Sequence, residues 1–535
     1  MVQIDSAANS PGDFVYEFRS SQNHTTLTYS NKTVAGHTIV VNGGFRVMQN
    51  SYKYNRSIDL NTPSDDFKSL GDGSQYNFLR ETTGDNRGLA WSSYFGTLNY
   101  NYRNKYFLST NLSYDGNSAT NKNNRYNLFP SVGAAWRLSS EGFLNQASWL
   151  EDLKLRASYS ITGNMYSSAY DYSKLYYTTR RMNGDGVLTR ELIPNDDLGL
   201  EKKNTINIGL DLSVLKQAVN LHLDVFKGSV NNLVMLQELP STFGYTNYYD
   251  NGGKLENSGI EVAADTRLQA GDFVWTLGGS VSKVMTEVTS LTFRNANTTE
   301  IITNIPSAQF ITSVGNPVNA FYGYKTNGLI SAAEAGTVIG PKGLPMQEGD
   351  VKFVDDGNNI INEDDKTIIG DPNADLFGSI YTALSYKNFE LSAYFNYSIG
   401  NDAFNYVKYK TEAMDSYDNQ SVAVLDRWTS SNTGATMPRA SFGDPTGNSV
   451  FSDRWIEDAS FLRLKQLTLN YTLPTLPGIY KGITLYVTAT NLLTFTKYTG
   501  YDPDFMYQNN PFYRGVDYGK MPQTKSFIVG IKLDL

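Results

Sequence analysis

Apolar residues recur at every second position through much of this 535-residue chain. In "DLKLRASYS", Leu153, Leu155, Ala157 and Tyr159 alternate with Lys154, Arg156, Ser158 and Ser160. "VNLHLDVF" sets Val219, Leu221, Leu223 and Val225 against Asn220, His222 and Asp224. "FELSAYFNY" (389–397), "ITLYVTAT" (483–490) and the closing "SFIVGIKLDL" (526–535) read the same way. A period of two places one face of a strand in an apolar medium and the other in a polar one. The pattern predicts about fifteen strands from Thr25 onward, with one more short piece at "FVYEF" (14–18). A helix is predicted over 140–153, "SEGFLNQASWLEDL".

The connections alternate in length. Short turns are predicted at 102–105, 215–218, 268–272 and 385–388, with a slightly longer one at "PTLPGIYKG". Long polar connections are predicted near 51–88, 165–200, 236–255, 291–373, 400–455 and 495–523. Short turns at one end and long loops at the other mark an outer-membrane barrel. Two packed sheets would need two dry inner faces. Here the second face carries Lys, Arg, His, Asp, Glu and Asn. The expected fold is therefore all-β, an antiparallel transmembrane barrel wall, with residues 1–23 a truncated lead-in or partial strand and 24–535 the wall and its loops.

Composition narrows the function. Lys plus Arg total 45 and Asp plus Glu total 53, a formal net charge of −8. That disfavours nucleic acid as a main partner. The absence of cysteine removes thiolate zinc sites, cysteine nucleophiles and disulfides. Tyr (37) outnumbers Phe (27), which suits rings with one apolar end and one wet end. No run of ~18 apolar residues reads as a membrane helix, and "MVQIDSAANS" does not read as a signal segment.

Eight segments resemble, in order, the SusC/RagA class of TonB-dependent outer-membrane transporters. They are "LNYNYRNKYFLSTNLSYDGNSA", "NNRYNLFPSVGAAWRLSSEGFL", "LKLRASYSITGN", "LENSGIEVAA", "GDPNADLFGSI", "FLRLKQLTLNYTLP", "LYVTATNLLTFTKYTGYDPDF" and "GKMPQTKSFIVGIKLDL". The resemblance implies the C-terminal part, about 15–16 strands, of a barrel of roughly 22 strands with a plugged lumen. It implies import of oligosaccharides, peptides or similar nutrients, a SusD-like surface lipoprotein over the outer mouth, and energy from a TonB complex acting on a plug. The family's plug and first strands have no counterpart here, so an N-terminal partner half is expected, supplied by a split gene, lost to a truncated frame or left out by the choice of segment.

Two groups of residues suggest sites. In "FVDDGNNIINEDDKTIIGDP", Asp356, Asn358, Ile360 (by its carbonyl), Asn362 and Asp365 fall at ligand spacings of a calcium loop. Val354 stands where the first carboxylate belongs and Asn359 where the glycine belongs, so an acidic solvated turn is the competing reading. Tyr170, Tyr172, Tyr176 and Tyr177 lie in one long connection, Tyr245 and Tyr248 in another, and Tyr501, Phe505 and Tyr513 in the last. Such rings suit a lid, substrate contact or packing between loops, or an interface belt; packing or partner contact is favoured.

No nucleophile elbow, phosphate loop or metalloprotease motif is present, and the three histidines are scattered. The expected function is import rather than catalysis. The alternatives are a wall with a structural role only, a barrel hydrolase, and a soluble β-rich glycan binder.

Overall fold

Strands form wherever the alternation is sustained, and they run longer than the side-chain pattern alone predicts. The computed structural model describes residues 12–32, 36–59, 80–144, 147–164, 177–182, 185–190, 195–238, 242, 247–293, 298–474, 482–505 and 514–534. The chain divides into two units, one of residues 1–134, 159–204 and 232–251, the other of 135–158, 205–231 and 252–535.

In the first unit, β1 (Gly12–Lys32), β2 (His37–Asp59), β3 (Arg80–Tyr102) and β4 (Tyr106–Asn117) lie in chain order, each antiparallel to the next. β5 (Tyr126–Arg137) follows β4. The short piece at 14–18 and the strand expected from Thr25 are one strand of 21 residues. The polar run between them keeps its ladder, with Arg19 opposite Ser51 and His24 opposite Arg46. Backbone pairing is indifferent to which side chain sits on it. For the same reason 51–59 and 80–88, expected as loop, are strand, with Ser51 facing Gly88 and Asp59 facing Arg80. Strand likewise replaces loop over 247–255. A small core of Ala119, Phe129, Leu198 and Leu200 closes over this unit's connections.

The second unit holds most of β6 (Leu150–Gly163), β7 (Lys202–Val214), β8 (Val219–Asn231), β9 (Asn247–Ala270) and β10 (Phe273–Phe293). β11 (Leu376–Tyr386), β12 (Phe389–Ile399), β13 (Phe461–Thr472), β14 (Gly482–Thr496) and β15 (Ser526–Asp534) complete it. Neighbours pair in chain order, antiparallel from β8 onward. The short turns at 102–105, 215–218, 268–272 and 385–388 fall where predicted, while residues 475–481 of "PTLPGIYKG" lie outside the described residues. Leu215, Lys216 and Gln217 take φ of 56°, 59° and 63° between β7 and β8, and Lys387 takes 50° between β11 and β12.

The helix predicted over 140–153 does not form. A 3₁₀ turn ends at Ser140, and Leu150 already opens β6. Trp149 and Phe143 are exposed rather than packed, so no apolar partner rewards a helical face there. The described α-helix, α1 (Tyr406–Glu412), lies in a long connection instead, capped by the Asn405 side chain on the Lys408 N–H.

Register carries the alternation from strand to strand. Ile483, Leu485, Val487 and Ala489 on β14 face Leu533, Ile531, Val529 and Phe527 on β15. The same face therefore stays apolar across the pair, and Val529 and Phe527 are 78% and 71% exposed on it. Apolar rings and branches left this bare need an apolar medium around them.

Candidate functional site

The opposite face is polar and cross-linked. Arg156, on β6, points to the same side as Asp211 on β7 and Asp224 on β8. Its Nε and Nη2 donate to the two Asp211 oxygens at 2.9 and 3.0 Å. Its Nη1 and Nη2 donate to the two Asp224 oxygens, each at 2.9 Å. Asn207 donates to Asp224 at 2.8 Å, and the His222 ring lies 3.0 Å from Asp211. One guanidinium thus bridges two carboxylates in fork geometry, the arrangement its planar donor set favours. Gly209 leaves the space, since a Cβ there would lie 2.5 Å from the guanidinium carbon. Farther round, Thr468 meets Thr488 at 2.9 Å, Thr490 meets Ser526 at 2.6 Å, and Asn470 donates to Glu390 at 3.0 Å. Such a face is suited to lining a wet passage, with its polar groups paired and the Arg156, Asp211 and Asp224 side chains partly exposed.

The long connections of the second unit fold on one another. Strands Glu300–Ile305, Ala308–Ser313, Ala320–Tyr324 and Lys366–Gly370 form a four-stranded sheet. Strand Asp402–Asn405 pairs antiparallel with Ile456–Asp458 and parallel with Val516–Asp517. Phe310, Phe321, Phe404, Trp455 and Val516 fill the core between them, almost wholly buried. Asp350, fully buried, accepts from Arg439 Nε at 2.6 Å and Asn448 Nδ2 at 2.8 Å. Glu457 accepts from the Thr499 N–H at 2.9 Å and pairs with Lys408 at 2.9 Å. Burial opposes its charge, but the Thr499 N–H, Lys408 and the Thr499 hydroxyl hold its carboxyl below the usual range. The Lys352 ammonium, with the Ser331 N–H and hydroxyl, holds Glu334 down to about 2. Burial pushes the Tyr324 hydroxyl up to about 12, with Glu363 and Asp365 adding to it.

Arg463 ties this body to the polar face. It is almost fully buried on β13, bonded to Asp502, to Asp504 at 3.4 Å and to Thr494 Oγ1 at 3.0 Å. Gln523 N–H reaches the other Asp502 oxygen at 2.9 Å. Sequence reasoning missed this knot, although an arginine inside "FLRLK" and the acidic pair in "YDPDF" were its visible halves.

The acidic loop brings some of its carboxylates together. Asp356 and Asp365 come together, and Asp355, which the spacing argument passed over, joins them: carboxylate oxygens of all three lie within 4.8 Å of one another. Asp355 accepts the N–H groups of Gly357, Asn358 and Asn359 at 2.9, 3.1 and 2.8 Å. Burial pushes its carboxyl up, and those N–H donors more than offset it, leaving the group below the ordinary range. Asn358 and Asn362 use their side-chain oxygens on the N–H groups of Ile360 and Asp364. The Ile360 side chain is exposed and its neighbours Asn359 and Ile361 bond the Ile339 backbone. Asp355, Asp356 and Asp365 are thus the oxygen donors available to a hard cation.

The aromatic residues separate. Tyr170, Tyr172, Tyr176, Tyr245 and Tyr513 lie outside the described residues. Tyr177 pairs through its backbone with Arg190. Tyr248 Oη reaches Asp250 at 3.4 Å. Phe505 packs 6.1 Å from the buried Tyr498 ring, whose hydroxyl donates to Asp517 at 2.8 Å. Tyr501 is 69% exposed. Tyr417 and Phe442, not singled out from the sequence, form an exposed ring pair 4.6 Å apart.

With this geometry in hand, the comparisons are specific. A family model described as TonB dependent receptor-like, beta-barrel matches residues 3–492. TonB-dependent receptor P3 of Formosa agariphila is 28% identical, covering 98% of this chain and 53% of that protein. TonB-dependent receptor SusC of Bacteroides thetaiotaomicron is 28% identical, covering 85% of this chain and 45% of that protein. The chain spans about half the length of the curated relatives it matches. Among solved structures, that of the RagAB peptide transporter superposes with a TM-score of 0.84 at 23% identity, over 99% of this chain and 57% of that one. A two-faced antiparallel wall, long packed loops and a family match over most of the residues agree: the chain belongs to the TonB-dependent receptor-like β-barrel family.

Proposed function

We propose that this chain forms barrel wall and outer loops of an outer-membrane importer of the SusC/RagA type, taking up oligosaccharides, peptides or similar nutrients. The observation that carries the reading is the two-sidedness of one sheet. Leu155, Ile206, Ile208 and Val225 are exposed and apolar on one face, while Arg156, Asp211, His222 and Asp224 form a partly exposed polar network on the other. The apolar face suits lipid and the polar face a water-filled lumen. In this reading the loop body, with exposed Tyr417, Phe442 and Tyr501, receives substrate together with a SusD-like lipoprotein. TonB energises the assembled transporter through its plug. Catalysis is no part of the proposal.

Fractionation and uptake test it together. The protein should remain with outer membranes through a high-salt wash and require detergent for release. Deleting its gene should abolish growth on one class of oligosaccharide or peptide and leave growth on the monomers intact. Release without detergent, or no uptake defect on any such nutrient, would reject the importer.

A further inference from the structure

One row of directly paired residues crosses six strands of the apolar face: Val262, Val281, Gly378, Tyr397, Leu462 and Phe495. Its centre is missing a side chain. A Cβ on Gly378 would fall 2.0 Å from the Ser280 carbonyl oxygen and 2.7 Å from Tyr397 Oη. Tyr397 lies across that gap and donates to the Ser280 carbonyl at 3.0 Å. The neighbouring row places Ala264 opposite Gly279, again without bulk. The result is a groove of about 890 Å³ walled by Ile380, Leu462 and Phe495, within the ~300–1,000 Å³ of sites that hold small molecules.

The groove has a direction. Leu376 and Ile399, which line it, are the first residue of β11 and the last of β12, where the long connections begin. Lys497, exposed just past the end of β14, stands at that rim. Among the described residues Lys497 has no ion-pair partner. Asp458, at the same rim, turns its carboxylate onto the Ser460 N–H at 2.9 Å.

We propose that this groove binds one molecule of an anionic, phosphorylated acyl lipid of the outer leaflet, with an acyl chain over Gly378 and Gly279 and a phosphate at Lys497. An apolar trough continuous with the lipid-facing surface suits a chain, and a cation at the headgroup end selects an anion. The inference rests on the outer-membrane placement proposed above.

The test uses the full-length protein, purified in detergent, stripped of lipid and offered lipid A, with a neutral diacylglycerol as comparison; native mass spectrometry counts what stays bound. Wild type should retain one lipid A per chain and little diacylglycerol. Ala264→Phe fills the trough and should lose retention. Lys497→Glu, outside the strands, should weaken it by roughly tenfold, as expected for a cation at an anionic headgroup. Heat-modifiable migration reports whether each variant is folded. Equal retention by wild type and a folded Ala264→Phe, or equal retention of lipid A and diacylglycerol, would overturn the proposal. Those results leave uptake untouched, whereas recovery of the chain outside the outer membrane would defeat the importer reading itself.

Discussion

The Arg156 guanidinium occupies the volume that a side chain at residue 209 would fill, so Gly209 and Arg156 share one site on the polar face. Gly209→Ala forces the fork off Asp211 and Asp224. Overpacking of this kind costs about 1–3 kcal/mol. Urea unfolding should show that loss for Gly209→Ala, while Gly142→Ala, with nothing within 4 Å of the added carbon, should unfold as wild type does.

The fork itself is measurable by a double-mutant cycle. Arg156→Ala leaves Asp211 and Asp224 facing one another without their cation. Arg156 is about one-third exposed, so solvent screens the pair and the coupling with Asp224→Ala should be about 1 kcal/mol. A coupling indistinguishable from zero would mean that the Asp224 arm of the fork adds no stability.

The loop body should unfold apart from the wall. Trp455 and Phe404 are fully buried in its core, and truncation of such rings costs about 3–5 kcal/mol. Trp455→Ala should make residues 300–370 and 402–458 sensitive to added protease while heat-modifiable migration of the barrel, with β11 and β12 in its wall, persists. Loss of both together would show a single cooperative unit.

Acid should loosen the same body. The depressed Glu457 carboxyl contributes stability that is fully present above its unfolded value of about 4.3 and is lost as pH falls through the lower folded value. Protease resistance of the loops should therefore decline below about pH 4.3. In Glu457→Gln the contribution is absent at neutral pH, and that part of the acid dependence should vanish. An identical pH profile for the two proteins would count against the linkage.

At the acidic loop, Asp355→Ala removes the acceptor of three N–H groups and should cost about 1 kcal/mol. If the cluster takes calcium, added calcium raises the unfolding midpoint by mass action. We expect that rise in wild type and its loss in Asp365→Asn. A midpoint unmoved by calcium would leave Asp355 as a turn cap alone.

Several features were legible from residue order because strand alternation is local. Leu153 to Ser160 and Ile483 to Thr490 needed only their own spacing to declare two faces, and the tight turns at 215–218 and 385–388 followed from where the alternation stops. Arg156, His222 and Asp224 could be assigned to the polar face on parity alone. Parity could not say that one arginine would bridge two aspartates, because that requires β6, β7 and β8 to stand side by side in one register. It also misjudged the polar stretches at 19–24 and 51–59, where ladder bonds outweigh side-chain character. The helix expected over 140–153 failed because no apolar surface meets its face.

By itself, then, the amino-acid order determined the periodicity, the two chemistries of the wall and the family resemblance. All of these are properties of neighbours a few positions apart. Tertiary structure alone decided that the long connections have a dry centre of Phe310, Phe404 and Trp455, that Arg463 finds Asp502 across 39 residues, and that Gly378 opens a trough beneath Tyr397. Each depends on burial and register between segments distant in the chain, and those are set only when the strands have found their partners.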